Sequence, residues 1–131
     1  MPEQPAIPSA QADSGSLIEA RRRQVIEAMR VLAQLSREVT VLFDRLDLAM
    51  TRSVGALEQG DLTAVELARS TNLPGRREAF NEAALRIRTA QHVMLRALFR
   101  LAEAEGVTKT EVARTWRVSR QLVSRMIKES D

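Results

Sequence analysis

Apolar residues recur in alternating steps of three and four along Val25, Ala28, Leu32, Leu35, Val39, Leu42, Leu46 and Ala49. That spacing puts them on one helical face and repeats like a heptad seam. Met29, Phe43, Met50 and Leu57 flank the seam and widen it. A two-stranded coiled coil usually carries charges there, so the wide stripe predicts a helix packed against two neighbours, as in a bundle. Ser16 with Glu19 three residues on has the form of a capping box, and Gly60 is a stop signal. No proline lies between them. A helix over 16–59 is therefore predicted, spanning roughly 65 Å. Ser53 and Gly55 weaken the seam and predict a kink near 52–55.

Beyond Gly60 the stripe resumes on shorter and then longer segments. Thr63 and Glu66 form a second capping-box pair, which predicts a short helix over 61–69. Pro74 suits the first turn of the next helix. Over 76–105, Phe80, Ala84, Ile87, Met94, Leu98 and Leu101 share a face, with Ala83, Ala90 and Ala97 beside them. The expected fold is all-α: two long helices in a hairpin or bundle with a short connecting helix.

The pattern then tightens. Gly106 ends the second long helix, and Thr108 with Glu111 opens a short one at Lys109. Val112, Ala113 and Trp116 share its apolar face, which predicts that Trp116 is buried against Val123 and the end of the preceding long helix. After Trp116 the pattern breaks, and Ser119 is a good N-cap for a helix over 120–128. Leu122, Val123, Met126 and Ile127 form its buried stripe. Arg120, Gln121, Ser124, Arg125 and Lys128 occupy the other side.

Residues 108–128, about 21 positions, resemble the helix-turn-helix of bacterial repressors and activators. Ala113 matches the small residue at which the second helix crosses the first. Val118 matches the apolar residue of the turn, and Ser119 the residue that starts the recognition helix. Val123 and Met126 match the residues that lock that helix, and Ser124-Arg125 is a common pair there. The departure is Arg117, where the family usually has Gly. A non-Gly residue in the left-handed conformation costs about 1 kcal/mol or more. The resemblance implies a three-helix unit over 93–131, supported by the end of the second long helix. It also implies a recognition helix in the major groove of double-stranded DNA. Arg120, Gln121, Ser124 and Arg125 are then the base-facing candidates. Thr108, Lys109, Arg114, Arg117, Ser119 and Lys128 are the phosphate-facing ones. Arg96 and Arg100, close by on the preceding helix, are further phosphate candidates. A similar stretch, VELARSTNLP from Val65, does not make a second such motif. Its recognition-helix core would fall on Glu78 and Asn81.

Charge agrees with this reading. Residues 106–131 carry six cations against three carboxylates, a net +3 that equals the formal charge of the whole chain. The preceding residues are therefore balanced, and the excess sits where phosphate binding would need it. Arg21, Arg22 and Arg23 read as a solvated helix face, with Glu19–Arg23 and Arg23–Glu27 as i,i+4 pairs.

Composition removes other chemistries. Aromatic residues are 3% of the chain, so the core must be aliphatic. There is no Cys, hence no disulfide, thiol nucleophile or Cys metal site. His92 is the single histidine, with no carboxylate cluster in sequence to make it a metal ligand. No Gly-rich phosphate loop and no nucleophile–base pair stand out, so neither an enzyme nor a cofactor is expected. No apolar run approaches the roughly 20 residues of a membrane span, and no signal-peptide pattern opens the chain.

The expected organisation is a disordered tail over 1–15, a helical hairpin over 16–92 and a DNA-binding unit over 93–131. The expected function is that of a dimeric, sequence-specific transcriptional regulator in the cytoplasm, associated with the nucleoid. It would pair through residues 25–57 and 80–101. The alternatives are an architectural, plasmid-partition or phage DNA-binding protein, and a helical protein-interaction adaptor.

Overall fold

The computed structural model describes residues 10–60 and 62–130, with side chains from Ser14 onward. Among them are five α-helices and no strand. These are α1 (Ala10–Glu58), α2 (Ala64–Ser70), α3 (Leu73–Ala104), α4 (Lys109–Trp116) and α5 (Arg120–Lys128). No helix is long and apolar enough among the described residues to cross a membrane. The chain divides into two compact units. One joins residues 10–30 to 91–130, and the other is 31–90.

Helix α1 is longer than its sequence signals suggest. It has 49 residues, about 74 Å at 1.5 Å per residue. The cap expected at Ser16 is not used, because the helix already runs through Gly15 and Ser16. The Ala10-Gln11-Ala12 segment has good intrinsic helix propensity and follows the last proline of the N-terminal stretch. The expected tail over 1–15 is thus helical from residue 10, and residues 1–9 lie outside the described residues. The helix also continues without interruption through Ser53 and Gly55. Ser53 is buried, and its hydroxyl donates to the Ala49 carbonyl at 2.7 Å. A buried hydroxyl satisfied this way adds no unpaired polar group to the core.

Within the 31–90 unit, α1 and α3 run antiparallel. Phe43 meets Phe80 edge to face at 5.4 Å, and Glu38 pairs with Arg86 at 3.5 Å. A cleft of about 240 Å³ is lined by Leu35, Val39 and Leu42 of α1 and by Ala79 and Ala83 of α3. The seam residues of this part of α1 therefore face α3 of the same chain. The flank remains open: Phe43, Leu57 and Phe80 are all exposed. Helix α2 buries no residue. It is held locally by a complete capping box between Thr63 and Glu66, and serves as a connector.

In the other unit, Val25 and Ala28 of α1 are buried, as are Ala97 and Phe99 of α3. Its main core gathers Phe99, Val112, Ala113, Val123 and Met126. Leu95, Ala102, Val107, Val118, Leu122 and Ile127 pack around them. The last turns of α3 thus support the α4–α5 pair through Leu95, Phe99 and Ala102, spaced i, i+4 and i+7 on one helical face.

Trp116 departs from its expected place. It is 42% exposed and touches the cluster through its edge-to-face contact with Phe99. As the last residue of α4, it stands where the buried face runs off the end of the helix. Phe99, with no exposed surface, fills the centre instead.

Candidate functional site

The α4–α5 pair is built from two caps and one strained turn. Thr108 caps α4, its hydroxyl accepting from the Glu111 N–H at 3.2 Å. The expected return bond from the Glu111 carboxylate is not made, so only half of that capping box forms. Helix α4 ends at Arg117, which adopts φ 55°, ψ 44°, the left-handed conformation. Its N–H points back to the carbonyls of Ala113 and Arg114, and the Val118 N–H donates to Ala113 at 3.0 Å. These bonds close the helix end as a Gly would in its place. Arg117 therefore accepts the left-handed conformation. Ser119 then caps α5, accepting from the Leu122 N–H at 3.1 Å.

Packing decides which side of α5 faces outward. Val123 and Met126 are almost wholly buried, so the helix is fixed by its inner stripe. Arg120, Gln121, Arg125 and Lys128 are exposed, and Ser124 is half-buried. The four base-facing candidates, Arg120, Gln121, Ser124 and Arg125, thus lie at i, i+1, i+4 and i+5 on one outward side of α5.

Lys109, at the start of α4, reaches across to this side. Its ammonium donates to the Ser124 hydroxyl at 3.5 Å. A phosphate candidate and a base candidate therefore meet. Because the Ser124 oxygen accepts from Lys109, its own hydrogen stays available to donate outward. Arg114 and Arg117 are exposed on α4 and its turn. Thr108 and Ser119 are exposed too, but each hydroxyl already serves as a helix cap.

Arg96 and Arg100 are tied to the C-terminal end of α5. The Arg100 Nε donates to the Ile127 carbonyl at 3.2 Å, and the same guanidinium bonds the Glu129 carbonyl. Arg96 donates to the Ser130 carbonyl at 3.5 Å and pairs with the Glu129 carboxylate at 3.6 Å. His92 donates from Nε2 to the same carboxylate at 2.7 Å. These side chains hold the C-terminal end of α5. Cations there satisfy the carbonyls left over by the helix and oppose the negative end of its dipole. Their spacing on α3, at 92, 96 and 100, is a sequence signal for a shared partner, since i, i+4 and i+8 lie on one face. The carboxyl of Glu129 is held below its ordinary range, chiefly by the His92 hydrogen bond. Partial burial opposes this, and the charges of His92, Arg96 and Arg125 reinforce it. No group of metal-ligating side chains occurs among the described residues.

Comparison with known protein families, with characterised proteins and with solved structures returns no match for this chain.

Proposed function

We propose that this chain is a sequence-specific DNA-binding regulator that acts as a homodimer, with α5 as its recognition helix in the major groove. The observation that carries the reading is the two-sided character of α5. Val123 and Met126 lock one side into an aliphatic core. Arg120, Gln121, Ser124 and Arg125 crowd the other side, with no carboxylate on the helix. Arg and Gln are the side chains that pair bidentately with guanine and adenine edges. Ser119 at the start of α5 and Lys109 beside Ser124 add the polar and cationic groups that phosphates attract. The net charge of the last 26 residues has the sign that a polyanion requires.

Pairing follows from scale and surface. A single unit of this size covers few base pairs, and proteins of this kind gain affinity by placing two readers on half-sites one helical turn apart. Within the 31–90 unit, Phe43, Leu57 and Phe80 are 47%, 50% and 38% exposed, and the rings of Phe43 and Phe80 lie side by side. On this reading they belong to an association site. A second copy, packing through residues 25–57 and 80–101, would cover it.

Selection of bound duplexes from a random pool tests the reading. The expected result is a palindromic enriched site whose binding weakens steeply with salt. Salt-insensitive or absent duplex binding would overturn it in favour of a helical adaptor.

A further inference from the structure

Lys109 is the first residue of α4, yet its side chain ends beside the middle of α5. Its ammonium donates to the Ser124 hydroxyl at 3.5 Å. The stability of α4 does not call for a lysine there. A cation in the first turn opposes the positive end of the helix dipole, and Thr108 already caps the helix. No ion pair holds Lys109 among the described residues. Lys109 is nevertheless half-buried, whereas Arg114 and Arg117 of the same helix and its turn are exposed. Its contact with Ser124 places it against the outward side of α5.

The pair presents donors. An ammonium carries hydrogens and no acceptor, and the bond to Ser124 uses one of them. The Ser124 oxygen accepts that hydrogen, so its own hydrogen is left to donate outward. At 3.5 Å the bond is long for a charged donor, so Ser124 does not saturate the ammonium. No carboxylate on α5 supplies an acceptor beside them. Donors side by side need acceptors side by side. Among the base edges of the major groove, guanine alone offers that, at O6 and N7. Adenine presents an acceptor beside a donor, thymine an acceptor beside a methyl, and cytosine a donor. Phosphate oxygens accept from such a pair too, but Ser124 lies one turn beyond Gln121 on the same side of α5. That is the side which enters the groove on the reading above.

We infer that Lys109 and Ser124 form a composite donor pair that reads one guanine, so that a residue of α4 takes part in sequence recognition. The inference rests on the DNA-binding reading above. It moves Lys109 from the phosphate-facing group to the base-facing one and leaves Arg114 and Arg117 to the backbone. It also divides the labour on the groove side. Gln121 offers a donor and an acceptor and suits adenine, while the Lys109–Ser124 pair suits a guanine close to it.

Duplex selection from a random pool, followed by fluorescence anisotropy with the full chain, tests the assignment. Ser124→Ala and Lys109→Met should each lose preference at the same guanine, by about tenfold against the other bases. Preference at the other positions should stay as in wild type. The double variant should lose little more than either single one, because the two donors serve one base. Circular dichroism should be unchanged, since Met keeps the apolar stem of the lysine. A probe on the DNA side needs no variant. Replacing that guanine by an analogue with carbon in place of N7 should weaken wild type by about tenfold and leave the double variant nearly unaffected. If Lys109→Met weakened every duplex alike with the motif unchanged, as expected of Arg114→Ala, Lys109 would be a phosphate contact. That result, or a wild type indifferent to the analogue at every selected guanine, would overturn the inference and leave the DNA-binding reading standing. A wild-type chain with no salt-dependent duplex binding would overturn both.

Discussion

Phe99 and Trp116 meet edge to face, ring centroids 6.0 Å apart and planes at 73°. They share the core unequally. Phe99 is fully buried at the centre of the cluster that supports α4 and α5, and Trp116 is 42% exposed at its edge. Phe99→Ala should therefore cost about 3–5 kcal/mol, the range for a buried aromatic leaving a cavity. Trp116→Ala should cost about 1–2 kcal/mol, from partial burial and one aromatic contact. Urea unfolding of the two variants checks the order. Equal losses would show that the tryptophan is as central as the phenylalanine.

The inequality also shows what periodicity can and cannot specify. The helix pair was legible because its signals are local. Thr108 and Ser119 accept from the backbone three residues on, and Ala113 and Val123 repeat at helical spacing. Phe99 was missed because α3 serves two neighbours. Its wider stripe through Met94, Leu98 and Leu101 draws attention, while the second stripe through Leu95, Phe99 and Ala102 meets the α4–α5 pair. Trp116 has the right spacing for burial, but spacing does not say where a helix ends relative to its support. The same limit applies to α1. Its seam and flank could be read as apolar, but not how each meets α3: Leu35 is buried facing it, and Phe43 touches Phe80 of α3 while staying exposed. The hold of Arg96 and Arg100 on α5 depends on pairing residues about 30 positions apart, which no local pattern supplies.

Arg117 sits at φ 55° in a turn where glycine carries no steric penalty. Arg117→Gly should stabilise the folded chain by about 1 kcal/mol, less the extra entropy that glycine adds to the unfolded chain. The same change removes an exposed cation, so duplex affinity should fall and the salt slope should flatten by about one unit. Stability and binding would then move in opposite directions. Loss of both would mean that the arginine side chain makes a structural contact of its own.

Glu129 links the end of α5 to α3 through His92 and Arg96. Its carboxyl is held below the ordinary value of 4.5. A depressed folded-state pKa contributes stability that is present above the ordinary value and is lost as pH falls through the depressed one. Wild type should therefore lose stability against Glu129→Gln on acidification below about pH 5. Thermal midpoints measured from about pH 3 to about pH 7 give the comparison. Parallel curves across that range would show that the pair contributes nothing to the fold.

Phe43 and Leu57 are 47% and 50% exposed, so a charge at either position leaves the buried core intact, while Phe43→Glu gives up the edge contact with Phe80. Phe43→Glu/Leu57→Glu should yield folded monomers with weaker operator binding, read by sedimentation velocity and circular dichroism. Leu35→Glu is the contrasting variant. Leu35 is 8% exposed and faces α3 across the cleft, so a carboxylate there should unfold the chain as well as separate the copies. A wild-type chain that sediments as a monomer at micromolar concentration would remove the basis for pairing.

Gln121 and Arg114 should fail in different ways. Gln121 lies exposed in the first turn of α5, one residue beyond Arg120 and beside no ion pair. Its amide offers a donor and an acceptor, the complement of an adenine edge in the major groove. Removing it should cost roughly 1–3 kcal/mol of discrimination at one base position. Arg114 is exposed on α4, outside the side of α5 proposed to face the bases, where its charge would serve a phosphate. Gln121→Ala should thus relax one position of the selected motif and leave binding to unrelated duplexes nearly intact. Arg114→Ala should weaken every duplex alike and reduce the salt slope by about one unit. Parallel titrations of matched, singly mismatched and unrelated duplexes separate the two behaviours. If Gln121→Ala weakened all three equally and the motif stayed the same, α5 would be touching backbone and the base-reading surface would have to lie elsewhere.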